Sequence, residues 1–169
     1  MGLMTRHSDV LLVALSDAEF VDYRRHVIQE YAEESAAAGR IPRAGALQWA
    51  ERETDKLLPE GRRTKDAYIH KIVSESQPDL TLGYLWSARD ASNPDNAFIY
   101  DVQVLPAHRG RGIATAALGQ LHHFLRERGY KEVALHVYHA NAIAQALYDR
   151  RGYKPISHVL RKDLLHGDA

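Results

Sequence analysis

The chain has no cysteine among its 169 residues. Disulfides, thiolate metal ligands and a cysteine nucleophile are thereby excluded together. It also lacks charge of one dominant sign: 22 lysines and arginines balance 22 aspartates and glutamates. No overall field draws it to nucleic acid or to an anionic membrane, so any anion binding must be local. The N-terminal apolar run VLLVAL, residues 10–15, is too short for a signal core or a membrane span. Ser16, Asp17 and Glu19 follow it in place of a small-residue cleavage site. Met1 and Gly2 open the chain as in a myristoylation motif, but Arg6 stands where serine or threonine is required. A cytoplasmic protein with neither a nucleic-acid nor a membrane partner is expected. The ten histidines form no H-E-x-x-H pattern. His136 and His139 would face opposite sides of a strand and the adjacent His122 and His123 would diverge, so no metal site is expected.

The length suits one domain, residues 1–169, that can bury roughly 68–70% of its unfolded surface. After a first strand at 10–15, Ser16 and Glu19 form a capping box and Gly39 a stop. Phe20, Tyr23, Val27, Ile28 and Tyr31 recur at helical spacing between them. A second helix is predicted over 42–58. AYIHKIVS, TLGYLWSA and AFIYDVQVL are β-rich and separated by turn chemistry, which reads as an antiparallel meander. A helix over 111–128, a strand over 132–139, a helix over 141–151 and a last strand over 153–164 complete the chain. The predicted order is β-α-α-β-β-β-α-β-α-β. The expected class is α/β in an α+β arrangement, a mixed, mostly antiparallel sheet flanked by helices.

Between the third meander strand and the next helix stands HRGRGIAT, residues 108–115. A phosphate-binding P-loop would need lysine then serine or threonine after its second glycine, and neither is there. A dinucleotide fingerprint would need three glycines, where Gly110, Gly112 and Thr115 supply two. One remaining reading is an ordinary turn with solvated arginines. The other is an anion cradle, because glycines let backbone N–H groups point outward where the new helix leaves its first four donors unpaired and its dipole is positive. Arg109 and Arg111 would add charge-assisted bonds.

The run from Arg109 to Ala114, of the form R-x-x-G-x-A after a strand ending VQVLP, resembles the acyl-CoA signature of the GNAT N-acetyltransferase superfamily. NAIAQALYDRRGY, residues 141–153, resembles that superfamily's second signature. The likeness covers roughly residues 97–153, which would form the coenzyme-binding half, with helices over 16–58 on the acceptor side. The resemblance implies that the backbone of Arg109, Gly110, Arg111, Gly112, Ile113, Ala114 and Thr115 holds the coenzyme A pyrophosphate. It implies that Val104 and Leu105, in a strand splayed from residues 132–139, bond the pantetheine arm and the acetyl carbonyl. Asn141 would hold the pantetheine arm, and Tyr148 would protonate the departing thiolate. A phenol of pKa about 10 suits a leaving thiol of about 8.5.

The activity implied is an N-acetyltransferase that moves acetyl from acetyl-CoA to a primary amine by direct attack. The alternative is a non-catalytic acyl-CoA-binding or regulatory module. An alkylammonium has no lone pair, so some group must take its proton. Asp101, Glu33, Glu34, Tyr31 or water are the candidates. Strict alternation places Phe98, Tyr100, Val102 and Val104 on one face of the strand and Ile99, Asp101 and Gln103 on the other, which argues against Asp101. The acceptor is left open, and a homodimer is compatible with the resemblance.

Overall fold

The computed structural model describes residues 10–165, so the Gly2 to Arg6 segment lies outside the described residues. Strand β1 (Val10–Ala14) leads into helix α1 (Asp17–Ala37). The capping box forms as the sequence predicts: the Ser16 N–H donates to Glu19 Oε2 at 2.8 Å and the Glu19 N–H to Ser16 Oγ at 3.3 Å. Gly39, at φ +66°, follows the helix end. Helix α2 (Ala46–Leu57) begins four residues later than predicted. Gly45 is left-handed at φ +82° and 43–46 close a turn, which stops the helix from extending back to Pro42.

Strands β2 (Ala67–Ser74), β3 (Thr81–Arg89) and β4 (Asn96–Val104) form the antiparallel meander. Helix α3 (Ile113–Glu127), β5 (Glu132–Leu135) and α4 (Ala142–Arg150) follow. The sheet order is β1-β2-β3-β4-β5, with β4 and β5 parallel and every other pair antiparallel. The fold class is therefore the mixed, mostly antiparallel sheet that the pattern called for. Three boundaries differ. Helix α3 begins at Ile113 rather than Arg111, because Gly112 is left-handed. Strand β5 ends at Leu135 rather than His139. The final strand does not form: residues 153–163 join no ladder among the described residues. No described helix is long and apolar enough to cross a membrane.

One sheet face packs on α3, whose Ala117, Leu118 and Leu121 are wholly buried against Ile72, Leu85 and Ile99. Each such leucine stabilises the fold by about 1.5–3 kcal/mol. The other face packs Ile69 and Trp86 against Phe20, Tyr23 and Val27 of α1. Alpha1 in turn sets Ile28 and Ala32 against Ala46 and Ala50 of α2. Histidines serve as packing groups here: His70 lies buried edge-on to Phe124 at 5.1 Å, and His122 Nε2 is 2.7 Å from the Tyr153 hydroxyl.

Candidate active site

The site starts from an irregularity in β4. Trp86 pairs with Asp101 but Ser87 pairs with Ile99, so Tyr100 is an extra residue and β4 is bulged. A bulge breaks strict alternation. Ala97, Ile99, Val102 and Val104 face α3. Tyr100, stacked on Trp86 at 4.8 Å, Asp101 and Gln103 face α1. The alternation expected from the sequence, with Tyr100 opposite Asp101, is thus corrected. Asp101 stands on the face that α1 covers.

The parallel ladder also ends at the bulge. Beta5 accompanies β4 only from Asn96↔Glu132 to Ile99↔Leu135, and β4 runs on to Val104 paired with β3 but not with β5. A cleft opens between 100–104 and the chain after Leu135. Gly83 of β3 lies across from it because no side chain fits: a Cβ there would sit 3.0 Å from Val104 Cα and closer still to the Gln103 carbonyl.

At the end of β4 the chain turns through 106–108, with His108 N–H donating to the Leu105 carbonyl at 2.9 Å. Arg109 folds back so that its Nε donates to the Val104 carbonyl at 2.9 Å, which pins the loop to the strand end. Leu105 donates its N–H to the Leu82 carbonyl at 2.8 Å and so commits it to β3 rather than to the cleft. Gly110 and Gly112 are both at φ +74°, a conformation glycine adopts without strain. Space is open around Gly110, where a Cβ would meet nothing within 4 Å. The first α-helical bond of α3 runs from Ala116 N–H to the Gly112 carbonyl at 3.0 Å, so the donors of Ile113, Ala114 and Thr115 precede the helix's own acceptors. The arrangement fits an anionic phosphate group. Arg111 is exposed and, with His108, borders a cavity of about 300 Å³ that also touches Ile113.

Across the cleft, Asn141 caps α4, its Oδ1 accepting from the Ala144 N–H at 3.1 Å, so its side-chain amide remains a donor. Gln145 Nε2 donates to the carbonyls of Tyr138 and His139, at 3.3 and 2.6 Å, and holds the end of the cleft to α4. The Tyr138 hydroxyl is 3.0 Å from Ser35 Oγ of α1. Tyr148 packs against Tyr153 at 5.4 Å. Burial first, then the negative charge of Asp101 and Glu34, pushes its phenol up to about 12. It stays protonated at every physiological pH.

Asp101 accepts a hydrogen bond from the Tyr23 hydroxyl at 2.9 Å. Burial is the main reason its carboxyl is pushed up to about 7; the Tyr23 bond opposes this, and Glu30 and Glu34 add to it. Gln103 Nε2 donates to Glu30 Oε1 at 2.7 Å and lies 2.6 Å from His26 Nε2. Its Oε1 is buried without a hydrogen-bond partner among the described residues. Glu34, raised by burial and then by Glu30, follows Glu30 by one helical turn and shares its face. Glu33, exposed as Glu34 is, lies off the helical face that Glu30 and Glu34 share. Tyr31 instead packs tilted against Trp49 at 4.9 Å and accepts from Arg40 at 3.4 Å. Tyr23, Gln103 and Tyr138 were not singled out from the sequence. The signal for Gln103 was there, as two polar residues, Asp101 and Gln103, two apart in an otherwise apolar strand.

Comparison with known proteins agrees with this layout. The chain is 30% identical over 151 residues to the uncharacterised N-acetyltransferase YdgE of Bacillus subtilis, across 89% of this chain and 95% of that one. It is 31% identical over 157 residues to YycN of the same organism, across 92% and 99%. The crystal structure of YycN, a putative acetyltransferase, superposes with a TM-score of 0.86 at 29% identity, covering 93% of this chain and 99% of that one. Mycothiol acetyltransferase of Rhodococcus erythropolis is 31% identical over 108 residues, which is 62% of this chain but 36% of that protein. Residues 47–153 match the acetyltransferase (GNAT) family. An acyltransferase by fold, by signature and by full-length relatives, the chain belongs to the GNAT acetyltransferase family.

Proposed function

We propose that this acyltransferase moves an acetyl group from acetyl-CoA to a primary amine by direct attack, with Asp101 as proton acceptor and Tyr148 as proton donor. The observation that carries the reading is the pair itself: a carboxyl near pKa 7 and a phenol near 12, the second raised in part by the charge of the first. The backbone donors of 109–115, with Arg109 and Arg111, take the pyrophosphate. Val104, through its N–H, Leu105, through its carbonyl, and Asn141, through its amide, take the pantetheine arm and acetyl carbonyl. The ammonium gives a proton to ionised Asp101, directly or through water. Its nitrogen then bonds to the thioester carbon, the C–S bond breaks, the new amide nitrogen gives its second proton to water, and the thiolate takes the Tyr148 proton. Solvent returns a proton to Tyr148.

Glu30 and Glu34 make the acceptor side acidic, which favours amines that carry positive charge. The partial match to mycothiol acetyltransferase does not extend to a choice of acceptor, since about a third of that protein is aligned. A non-catalytic acyl-CoA-binding module would have no use for the Asp101 and Tyr148 pair. The test is thiol release from acetyl-CoA across a panel of amines, alongside calorimetric affinity for the coenzyme. Tyr148→Phe is expected to lower kcat by 10²–10⁴ with unchanged coenzyme affinity, and Gly112→Asp to abolish binding. Unchanged turnover in the first variant removes the acid role, and normal affinity in the second removes the cradle.

A further inference from the structure

Helix α4 ends in a turn that folds the chain back onto it. The Tyr153 N–H donates to the Tyr148 carbonyl and the Gly152 N–H to the Asp149 carbonyl, both at 3.0 Å, with Gly152 left-handed at φ +84°. A left-handed glycine closes many helices with this pairing, and an apolar contact across the turn commonly accompanies it. Here the contact is Tyr153 against Tyr148, T-shaped, with ring centroids 5.4 Å apart. A phenylalanine would make it as well. The Tyr153 hydroxyl reaches further, to His122 Nε2 of α3 at 2.7 Å, and those two rings are 5.6 Å apart. Burial, then Arg151 and Arg126, lowers the His122 pKa and keeps the ring neutral. A neutral imidazole has one donor and one acceptor nitrogen, so Nε2 bonds the hydroxyl in either tautomer.

His122 owes this place to its helix. Gly119 lies one turn before it on the same side of α3, where a Cβ would sit 3.2 Å from Arg151 Nη2. Helix α3 therefore approaches the end of α4 closely along Gly119 and His122. The next residue, His123, is exposed and lies 3.3 Å from Glu127. Helix α4 is nine residues long and has no fully buried residue, too little to fix a helix by itself. Tyr148 thus takes its position from its neighbours.

We propose that His122, acting through Tyr153, is a positioning residue that fixes the Tyr148 phenol relative to the coenzyme cradle at the start of α3. This role presupposes that Tyr148 is the acid proposed above. Helix α3 begins at the cradle and runs about two and a half turns to His122. One hydrogen bond and one ring contact lead from there to Tyr148. Proton transfer to the thiolate requires hydrogen-bond reach, and displacing a reacting group by about 1 Å can cost on the order of 10²-fold in rate.

The test measures kcat, KM for acetyl-CoA and coenzyme affinity in the full-length protein, with the amine that gives the fastest thiol release in the panel above. Tyr153→Phe keeps the ring contact and loses the bond. It is expected to lower kcat about tenfold with KM and affinity unchanged. His122→Leu is expected to match it, and His122→Gln, whose amide can still bond the hydroxyl, to recover most of the loss. Should His122→Leu not fold, Tyr153→Phe and His122→Gln carry the comparison. In a Tyr148→Phe background neither Tyr153→Phe nor His122→Leu should lower kcat further, because no phenol remains to be placed. A group that merely stabilises the fold would cost the same in both backgrounds. Native kcat in Tyr153→Phe, or equal losses with and without the Tyr148 hydroxyl, overturns the proposal and leaves the acid role intact. Native kcat in Tyr148→Phe alone removes the acid role, and the positioning role with it.

Discussion

Asp101 and Tyr148 meet the same low polarity and respond in ways that suit opposite tasks. Burial disfavours charge on both. It lifts the aspartate to about 7, where half the population accepts a proton at neutral pH, and keeps the tyrosine protonated until a thiolate forms. A base works only when ionised, so kcat/KM should rise about tenfold per pH unit below 7 and level off above it. Asp101→Asn is expected to remove that rise and lower turnover by about 10²-fold or more, read from a pH–rate profile with a fixed amine. A profile that keeps its limb in this variant would move the base to Glu34. The placement of Arg109 to Thr115 at the turn into α3, of Asn141 at the cap of α4 and of Tyr148 within α4 was legible in the sequence because each sits in a local pattern. Tyr23 and Gln103 were not, since they reach Asp101 and Glu30 from elements far apart in the chain.

Strand and helix identities could be read from periodicity and caps, and Ser16 with Glu19 is the clearest case. The bulge at Tyr100 could not. An extra residue leaves no mark in an apolar strand until its partner is known, and here it reversed which face Asp101 shares with Tyr100. Gly83 is the partner's share of this arrangement. Its missing side chain lets β3 approach the Gln103 carbonyl and Val104 at the end of β4, beyond the last β5 pair. Gly83→Ala should push the end of β4 aside, at about 1–3 kcal/mol by the usual penalty of overpacking, and displace Val104 from the coenzyme. Thermal melting and calorimetry with acetyl-CoA would show lower stability and weaker affinity together. Gly129→Ala is the control: it faces open space at φ +82°, so it should lose stability through backbone strain alone and keep its affinity. Equal affinity in the two variants would mean that β4 does not depend on this contact.

A formal charge of zero says nothing about how the whole molecule responds to pH, because that response depends on which groups are buried. Asp101, raised from 3.8 to about 7, holds its proton in the folded state longer than in the unfolded chain. Its contribution to stability is therefore whole at pH 4 and is lost as pH rises to 7. His70, lowered from 6.5 to about 4 by burial and then by Arg128, stays neutral in the fold while the unfolded chain takes up a proton. Its contribution is whole above pH 6.5 and is lost as pH falls to 4. His122 and His136, lowered by burial first, act in the same direction as His70. Between pH 4 and 6.5 the two slopes oppose each other, and the native protein's stability should change little. Asp101→Asn removes one of them. Denaturant titration of that variant should show a gain of roughly 1–3 kcal/mol at pH 8, almost none at pH 4, and a stability that climbs across the interval where the native protein is flat. The Tyr23 hydroxyl can still donate to the asparagine oxygen, so the gain measures the buried charge and not a lost hydrogen bond. Equal gains at both pH values would mean that Asp101 ionises in the fold as it does in the unfolded chain, and would remove the physical basis for its role as a base near neutrality.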